Sequence, residues 1–264
     1  MRSTGPGAST IRSGVGRVRA AAARLGPPQS PRRLAEQAAA YWSDTAAPRW
    51  AADSHWESGL GEKWASVGPA QVAITRTLLA ALGRDIPEGR VLEWGCGGGA
   101  NAVVLAPLCQ ELIGLDISRD SLEECRRQVL DRTGRTVRTV LTGVDSPEQA
   151  LGEVDEGTVD LVVSYYVFEL LASREAAVRV LRTIRRLLVD DGAAVIQFKY
   201  DDGTRSGATR RRDYRRRVAG TTFAIHDFWT LCDQQGLLPH ALVLVPRDEL
   251  DTHYGYVLLT RPPG

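Results

Sequence analysis

The sequence lacks the features that mark membrane, secreted and zinc-binding proteins. No apolar run approaches the roughly 18 residues that a membrane span needs, and the N-terminus has no apolar core of a secretory signal. The four cysteines (Cys96, Cys109, Cys125, Cys232) lie far apart and form no C-x-x-C pair. This spacing argues against a disulfide framework and against a zinc site. We therefore expect a cytoplasmic protein with no metal and no membrane partner.

Lysine is also scarce, because 31 of the 33 basic side chains are arginines, and the formal net charge is only +1. Such a balance gives no argument for nucleic acid or an acidic membrane as a partner. The charge is unevenly placed, however. Residues 1–35 hold seven arginines and no acid, which leaves 26 basic against 32 acidic side chains in the rest of the chain. The body of the protein is therefore predicted to be mildly acidic.

The length of 264 residues suits one large α/β domain with smaller additions. Residues 1–30 are rich in Gly, Ser, Pro, Ala and Arg and are predicted to be a disordered tail, although their composition also matches an organelle transit peptide. Residues 31–88 are predicted to form a helical cap or lid. The catalytic core is predicted over 89–264, with an acceptor-side insertion at 200–222.

Within the core, short apolar strands alternate with helices. Strands are predicted at 90–94, 111–115, 136–142, 159–164, 193–199, 238–245 and 254–260, and helices at 100–108, 119–131, 173–188 and 226–235. In the cap, a helical segment passes through Tyr41 and Trp42, and an apolar helix is predicted from Pro69 to Leu82. Strands separated by helices form parallel sheets, whereas the last two strands have no helix between them. The prediction is a doubly wound, mostly parallel seven-stranded sheet with a C-terminal antiparallel hairpin at its edge and an N-terminal helical, aromatic cap.

A glycine-rich turn follows the first predicted strand and opens a helix. Glycines there let a ligand approach the backbone, and the free amides of a helix N-terminus favour an anion. The pattern from Gly95 to Ala100 fits the dinucleotide fingerprint, so NAD and S-adenosylmethionine both remain candidates from the turn alone. Glu93 favours the second, because a carboxylate attracts the ammonium of S-adenosylmethionine but repels a pyrophosphate.

These residues resemble the motifs of class I S-adenosylmethionine-dependent methyltransferases. Glu93-x-Gly95-x-Gly97-x-Gly99 is similar to motif I of that family, and 114–118 to its second motif. The segment 158–166 resembles the motif of the fourth strand, and 188–196 the turn into the fifth. There Asp190 and Asp191 replace the family's proline and first glycine, which affects the turn and not the cofactor site.

The resemblance implies S-adenosylmethionine as cofactor and assigns roles to individual residues. Gly95, Gly97 and Gly99 would line the methionine part, Glu93 would face its amino group, and Asp116 would hold the ribose hydroxyls. Ile117 would pack on the adenine, and Asp145 is the candidate for the adenine amino group, the alternative being a helix N-terminal acid. The full set of predicted cofactor residues is Glu93, Gly95, Cys96, Gly97, Gly99, Asn101, Asp116, Ile117, Asp145, Tyr165 and Tyr41.

The acceptor is expected beyond the C-terminal ends of the strands, where open α/β sheets bind ligands. Phe168, Lys199 and Tyr200 are the predicted acceptor contacts there. Tyr166, Glu169 and His226 are the candidate catalytic residues, His226 because its ordinary pKa lies close to working pH. The simpler interpretation of His226 is that it starts a helix.

Two further segments bear on the acceptor. The stretch 41–64 holds Tyr41, Trp42, Trp50, His55, Trp56 and Trp64, which could cover the cofactor by cation–π attraction or form a helical cap packed on the sheet edge. We assign Trp56 to acceptor binding. Seven arginines occur between 205 and 217. Among them, Arg211 is the candidate contact for an anionic or carrier-bound acceptor, with RNA binding and a solvated helix face as alternatives.

The sequence therefore predicts a methyltransferase that modifies an O or N atom of a small molecule, in the manner of stand-alone enzymes of bacterial specialised metabolism. A homo-oligomer is compatible with it. The alternatives are an RNA or protein methyltransferase that uses the arginine-rich segments, and a cofactor-binding scaffold that transfers no methyl group.

Overall fold

A single seven-stranded sheet organises the protein. The structure, a computed structural model, describes residues 30–42, 61–201, 220–248 and 250–263. The strands are β1 (Arg90–Trp94), β2 (Glu111–Asp116), β3 (Arg138–Leu141), β4 (Val159–Ser164), β5 (Leu188–Lys199), β6 (Leu238–Arg247) and β7 (Thr252–Thr260). Their order is β3-β2-β1-β4-β5-β7-β6. The first five strands are parallel, and β7 runs antiparallel between β5 and β6. The predicted fold is thus confirmed, and the hairpin lies at the edge with β6 outermost.

Six α-helices are described. They are α1 (Pro31–Trp42), α2 (Gly61–Ala80), α3 (Ala102–Leu105), α4 (Arg119–Thr133), α5 (Arg174–Leu187) and α6 (Ile225–Gln234). Short 3-10 segments follow α3 at Ala106–Leu108 and precede β4 at Pro147–Gly152. The start of α4 shows the local cause of a helix boundary, because the Ser118 hydroxyl accepts a hydrogen bond from the Ser121 amide.

Helices cover both faces of the sheet, which is why its strands are apolar on both sides. Side chains of successive strand residues point to opposite faces. Accordingly, Val162 belongs to the core under α5 and α6, whereas Val163 belongs to the core with residues of α2, α3 and α4. The C-terminal ends of β1, β2 and β4 therefore meet at one edge of the sheet, between the two helical layers.

The second helix of the cap begins earlier than predicted. It runs from Gly61 to Ala80 with Pro69 inside it, whereas the sequence analysis started it at Pro69. A proline inside a helix removes one backbone hydrogen bond, which made Pro69 a natural first residue. Packing outweighs that loss, since Val67 before the proline and Val72 after it are both buried.

The fifth strand is also longer than predicted, and it contains an irregularity. It begins at Leu188, pairs with Val159, and then resumes regular pairing at Ala193 opposite Leu161. Between these points Asp191 has a φ of 62°, a left-handed conformation that glycine adopts more easily. Arg84 binds both the Asp191 side chain and its carbonyl oxygen and so holds this turn.

Candidate functional site

The turn after β1 is folded against the end of β2. The amides of Gly95 and Cys96 both donate to the carbonyl oxygen of Leu115, at 2.7 and 3.0 Å. Gly95 has a φ of 78°, and a β-carbon there would overlap with the Val167 side chain. Glycine is therefore required at position 95 both by its backbone angle and by the space available.

Asp116 joins this turn to β2. One carboxylate oxygen accepts from the amides of Ile117 and Ser118 at 2.8 and 2.9 Å, and the other accepts from the Gly97 amide at 2.9 Å. Burial raises the pKa of Asp116, while the three amides act in the opposite direction. The carboxylate thus lies on the cavity wall with its position set by backbone donors.

Glu93 and Asn101 form a buried pair beside the turn. The Asn101 amide donates to one oxygen of Glu93 at 2.7 Å. The other Glu93 oxygen is buried without a hydrogen-bond partner in the described part of the chain, as is the Asn101 carbonyl oxygen. Burial raises the pKa of Glu93 to about 8, with the Asn101 hydrogen bond lowering it. A cation placed here would meet two acceptors that lack partners.

These elements surround one cleft, which encloses ≈ 1130 Å³ of empty space counted out to open solvent. Its wall brings together eight residues that the sequence predicted: Gly95, Cys96, Gly97, Asn101, Asp116, Ile117, Tyr165 and Tyr166. It also includes Trp42 and Trp64, from the aromatic stretch that could cover the cofactor. Other lining residues were not assigned to the site by the sequence analysis, among them Ala38, Thr142, Val144 and Leu171.

Tyr165 and Tyr166 form the wall at the end of β4. Tyr165 is buried, and its hydroxyl shares a hydrogen bond with Thr75 of α2. Tyr166 has a φ of 54°, which is rare for a residue other than glycine. Three contacts hold it there. Its amide donates to the Gln197 side chain, its hydroxyl donates to Asp248 at 2.7 Å, and its ring meets Tyr254 edge-on at 5.3 Å.

Asp248 is a site residue that sequence reasoning missed. It precedes β7 and accepts from the Tyr166 hydroxyl as well as from the amides of Leu250 and Asp251. Burial raises the pKa of Tyr166, and the carboxylate of Asp248 acts in the same direction. Tyr166 therefore stays neutral and cannot serve as an ionised base. No sequence signal marks Asp248, because its partner lies 82 positions away.

The structure places Phe168 and Glu169 away from the cleft wall. Phe168 has no exposed surface and packs edge-on against Phe228 in the core. Glu169 is also buried and does not line the cleft. Burial raises its pKa to about 7, with nearby Lys199 lowering it. Val167 lines the cleft, whereas the next two side chains do not.

Several other predicted residues lie off the cleft wall. Lys199 pairs with Asp251 on the hairpin, and Tyr200 contacts His253 edge-on at 5.3 Å. His226 is exposed in the first turn of α6, as the simpler interpretation expects. Asp145 is exposed, and the wall near it is formed by Gly143 and Val144.

Four further residues that the sequence predicted for the site either do not line the cleft or lie outside the described residues. Gly99 packs against Cys125 rather than lining the cleft, with a φ of 93°. Tyr41 is half-buried against the neighbouring Trp42, whose ring does line the cleft. Trp56 and Arg211 lie outside the described residues, so their assignments stay predictions.

Two wider features concern metals and membranes. Across the described ranges, no group of three or more His, Cys, Asp or Glu side chains is arranged to hold a metal ion. None of the helices in those ranges is both long enough and apolar enough to cross a membrane.

Comparison with known proteins agrees with this geometry. Residues 92–194 match the family described as methyltransferase domain. No curated protein matches the chain. Solved structures do match it.

Three of these structures illustrate the similarity. The 1,6-didemethyltoxoflavin-N1-methyltransferase of Burkholderia thailandensis is 21% identical, with a TM-score of 0.62, and the match covers 90% of this chain and 93% of that one. Magnesium protoporphyrin IX methyltransferase of Synechocystis PCC 6803 is 18% identical, with a TM-score of 0.60 and coverage of 86% and 99%. The N-methyltransferase NodS of Bradyrhizobium japonicum WM9 is 16% identical, with a TM-score of 0.56 and coverage of 88% and 98%. At these identities the likeness shows a shared fold.

The residues present fit S-adenosylmethionine. The unpartnered oxygens of Glu93 and Asn101 suit its ammonium, and the carboxylate of Asp116 on the cleft wall suits ribose hydroxyls. A pyrophosphate would instead face the buried Glu93 carboxylate. The chain therefore contains a methyltransferase domain at residues 92–194, and the residues around its cleft fit S-adenosylmethionine as the cofactor.

Proposed function

We propose that this enzyme methylates an O or N atom of a small, flat and largely apolar molecule, as enzymes of specialised metabolism do. The observation that carries the proposal is the aromatic wall of the cleft, formed by Trp42, Trp64, Tyr165 and Tyr166. Flat aromatic faces bind flat ligands by offset stacking or edge contacts. Leu170 and Leu171 extend the wall with apolar surface.

The molecules named for two of the similar solved structures support a flat acceptor. The Burkholderia structure contains 1,6-didemethyltoxoflavin together with S-adenosylhomocysteine, and the Synechocystis enzyme is named for magnesium protoporphyrin IX. Both share the fold of this chain over most of its length. Because a shared fold does not transfer a substrate, the identity of the acceptor rests on experiment.

Bound S-adenosylmethionine would supply an activated methyl group on sulfur, so the protein needs mainly to hold the acceptor in line and exclude water. Tyr166 suits the first task. Its hydroxyl donates a hydrogen bond to Asp248. The lone pairs of the hydroxyl oxygen can therefore accept a hydrogen bond from an N–H or O–H group of the acceptor. A neutral amine needs no strong base, in agreement with the raised pKa of Tyr166.

The test is a methyl-transfer assay with purified protein, S-adenosylmethionine and a panel of planar N-heteroaromatics, phenols and aromatic amines. Mass spectrometry should detect S-adenosylhomocysteine together with a product heavier by one methylene. Asp116→Ala should abolish both. The Tyr166→Phe variant should lower turnover while S-adenosylhomocysteine binds with unchanged affinity. Methyl transfer to RNA or protein alone would favour that alternative, and cofactor binding without any transfer would favour a scaffold.

If the flat acceptor also carries an anionic group or is bound to a carrier, the arginines between 205 and 217 are the candidate contacts for that part. Charge reversal of Arg211 and Arg215 should raise the KM of an anionic acceptor and leave that of a neutral one unchanged. An equal KM for both acceptors in the variant would support a solvated helix face.

A further inference from the structure

Three buried polar atoms without partners belong to residues that line the cleft or contact its wall. They are the indole N–H of Trp64, one carboxylate oxygen of Glu93 and the side-chain carbonyl oxygen of Asn101. None of the three has a hydrogen-bond partner within the described part of the chain. Trp64 and Asn101 both line the cleft, and Asn101 holds Glu93 by a hydrogen bond. Buried polar groups are nearly always paired, so this arrangement indicates a missing polar ligand.

The position of Trp64 follows from the packing of α2 on the glycine turn. Gly68 lies so close to the backbone of Ala100 that a β-carbon at 68 would overlap with the Ala100 carbonyl oxygen. Trp64 lies one helical turn before Gly68 and therefore on the same face. Thr75, two turns further along that face, binds the Tyr165 hydroxyl. This face of α2 thus lies against both the glycine turn and the end of β4.

The chemistry of the three atoms defines the ligand. An indole N–H can only donate, so it needs an acceptor such as a carboxylate oxygen. The Asn101 carbonyl oxygen and an ionised Glu93 oxygen can only accept, so they suit a donor such as an ammonium group. A ligand end that carries both groups on neighbouring atoms is an α-amino acid. Among cofactor parts, the methionine end of S-adenosylmethionine has this character.

We propose that Trp64 of the cap binds the methionine carboxylate of the cofactor through its indole N–H, while Glu93 and Asn101 bind the ammonium group. The proposal rests on cofactor use and is independent of which acceptor is methylated. It makes α2 part of the cofactor site.

The test compares ligands that differ at the amino acid end. Calorimetry on the full chain and on Trp64→Phe would use S-adenosylhomocysteine, S-adenosyl-3-thiopropylamine, which lacks the carboxylate, and 5′-methylthioadenosine, which lacks both groups. Phenylalanine keeps the ring but removes the donor. Trp64→Phe should weaken S-adenosylhomocysteine about tenfold, as expected for a lost hydrogen bond to a charged group. Binding of the other two ligands should change less than about twofold.

Trp42→Phe is the matched control, because Trp42 lines the same cleft from α1. It should show no preference for the ligand that carries the carboxylate. If Trp64→Phe weakens all three ligands equally, the role of Trp64 is packing, and the proposal is wrong. A larger loss for S-adenosylmethionine than for S-adenosylhomocysteine would also overturn it, since that result would indicate cation–π contact with the sulfonium.

A measurement on the unmodified protein keeps the proposal testable if the variant does not fold. The indole ¹⁵N–H resonance of Trp64 should move downfield on addition of S-adenosylhomocysteine and stay in place with S-adenosyl-3-thiopropylamine. An equal shift with both ligands would exclude the carboxylate as the partner. Failure of every acceptor in the methyl-transfer assay would leave these binding results unaffected, so the two proposals fail separately.

Discussion

Cofactor binding should release a proton from Glu93. Burial raises the pKa of this carboxyl to about 8, so at pH 7 about 90% of the free protein carries it protonated. The ammonium of a bound cofactor favours the ionised form, because an opposite charge within about 4–6 Å lowers the pKa of an acid. Binding at pH 7 should therefore release about 0.9 proton per site.

The pH dependence of affinity follows with a definite sign. Only ionised Glu93 pairs with the ammonium, and its fraction in the free protein rises from about 1% at pH 6 to about 9% at pH 7. The Kd of S-adenosylhomocysteine should fall nearly tenfold over that interval, equivalent to about 1.4 kcal/mol. The interval lies below the pKa of an α-amino group, so the ligand itself keeps its charge.

Calorimetry in buffers of different ionisation enthalpy measures the released proton directly. Glu93→Gln is the control, because its amide is neutral at every pH and can keep a hydrogen bond to Asn101. The difference between the two proteins isolates Glu93 from Asp116, whose pKa burial also raises. A binding enthalpy independent of buffer, or the same pH profile in Glu93→Gln, would refute the reasoning.

Three further predictions concern the turn and the sheet. Asp116→Asn should weaken S-adenosylhomocysteine binding about tenfold by calorimetry, because a charged acceptor is lost; unchanged affinity would place the ribose elsewhere. Gly95→Ala should lower the free energy of unfolding by about 2–3 kcal/mol through a positive φ and overlap with Val167. Adding Val167→Ala should recover part of that loss in urea denaturation, and no recovery would locate the strain in the backbone alone. Asp191→Gly should be about 1 kcal/mol more stable than Asp191→Ala, because φ is 62° there; equal melting midpoints would contradict this.

Most of the sheet was predictable from the sequence because its signals are local. Short apolar runs between helices marked β1, β2 and β4 within a residue or so, and the missing helix between the last two strands predicted the hairpin. The first residues of α2 and β5 could not be predicted from the sequence. In both places the chain continues through a residue that locally disfavours the element, Pro69 in one and Asp191 in the other. Contacts from distant residues offset the local cost.

The sequence by itself determined the cofactor half of the site. Gly95 directly follows β1 and Asp116 is the last residue of β2, and neighbouring parallel strands necessarily bring their ends together. Only the tertiary structure decided the other half. It placed Tyr166 on the cleft wall and Phe168 in the core, although they are two positions apart, and it brought Asp248 to the Tyr166 hydroxyl from outside every motif. The physical reason is that the direction of a side chain after a strand end depends on packing and hydrogen bonds with residues remote in sequence, which no local pattern encodes.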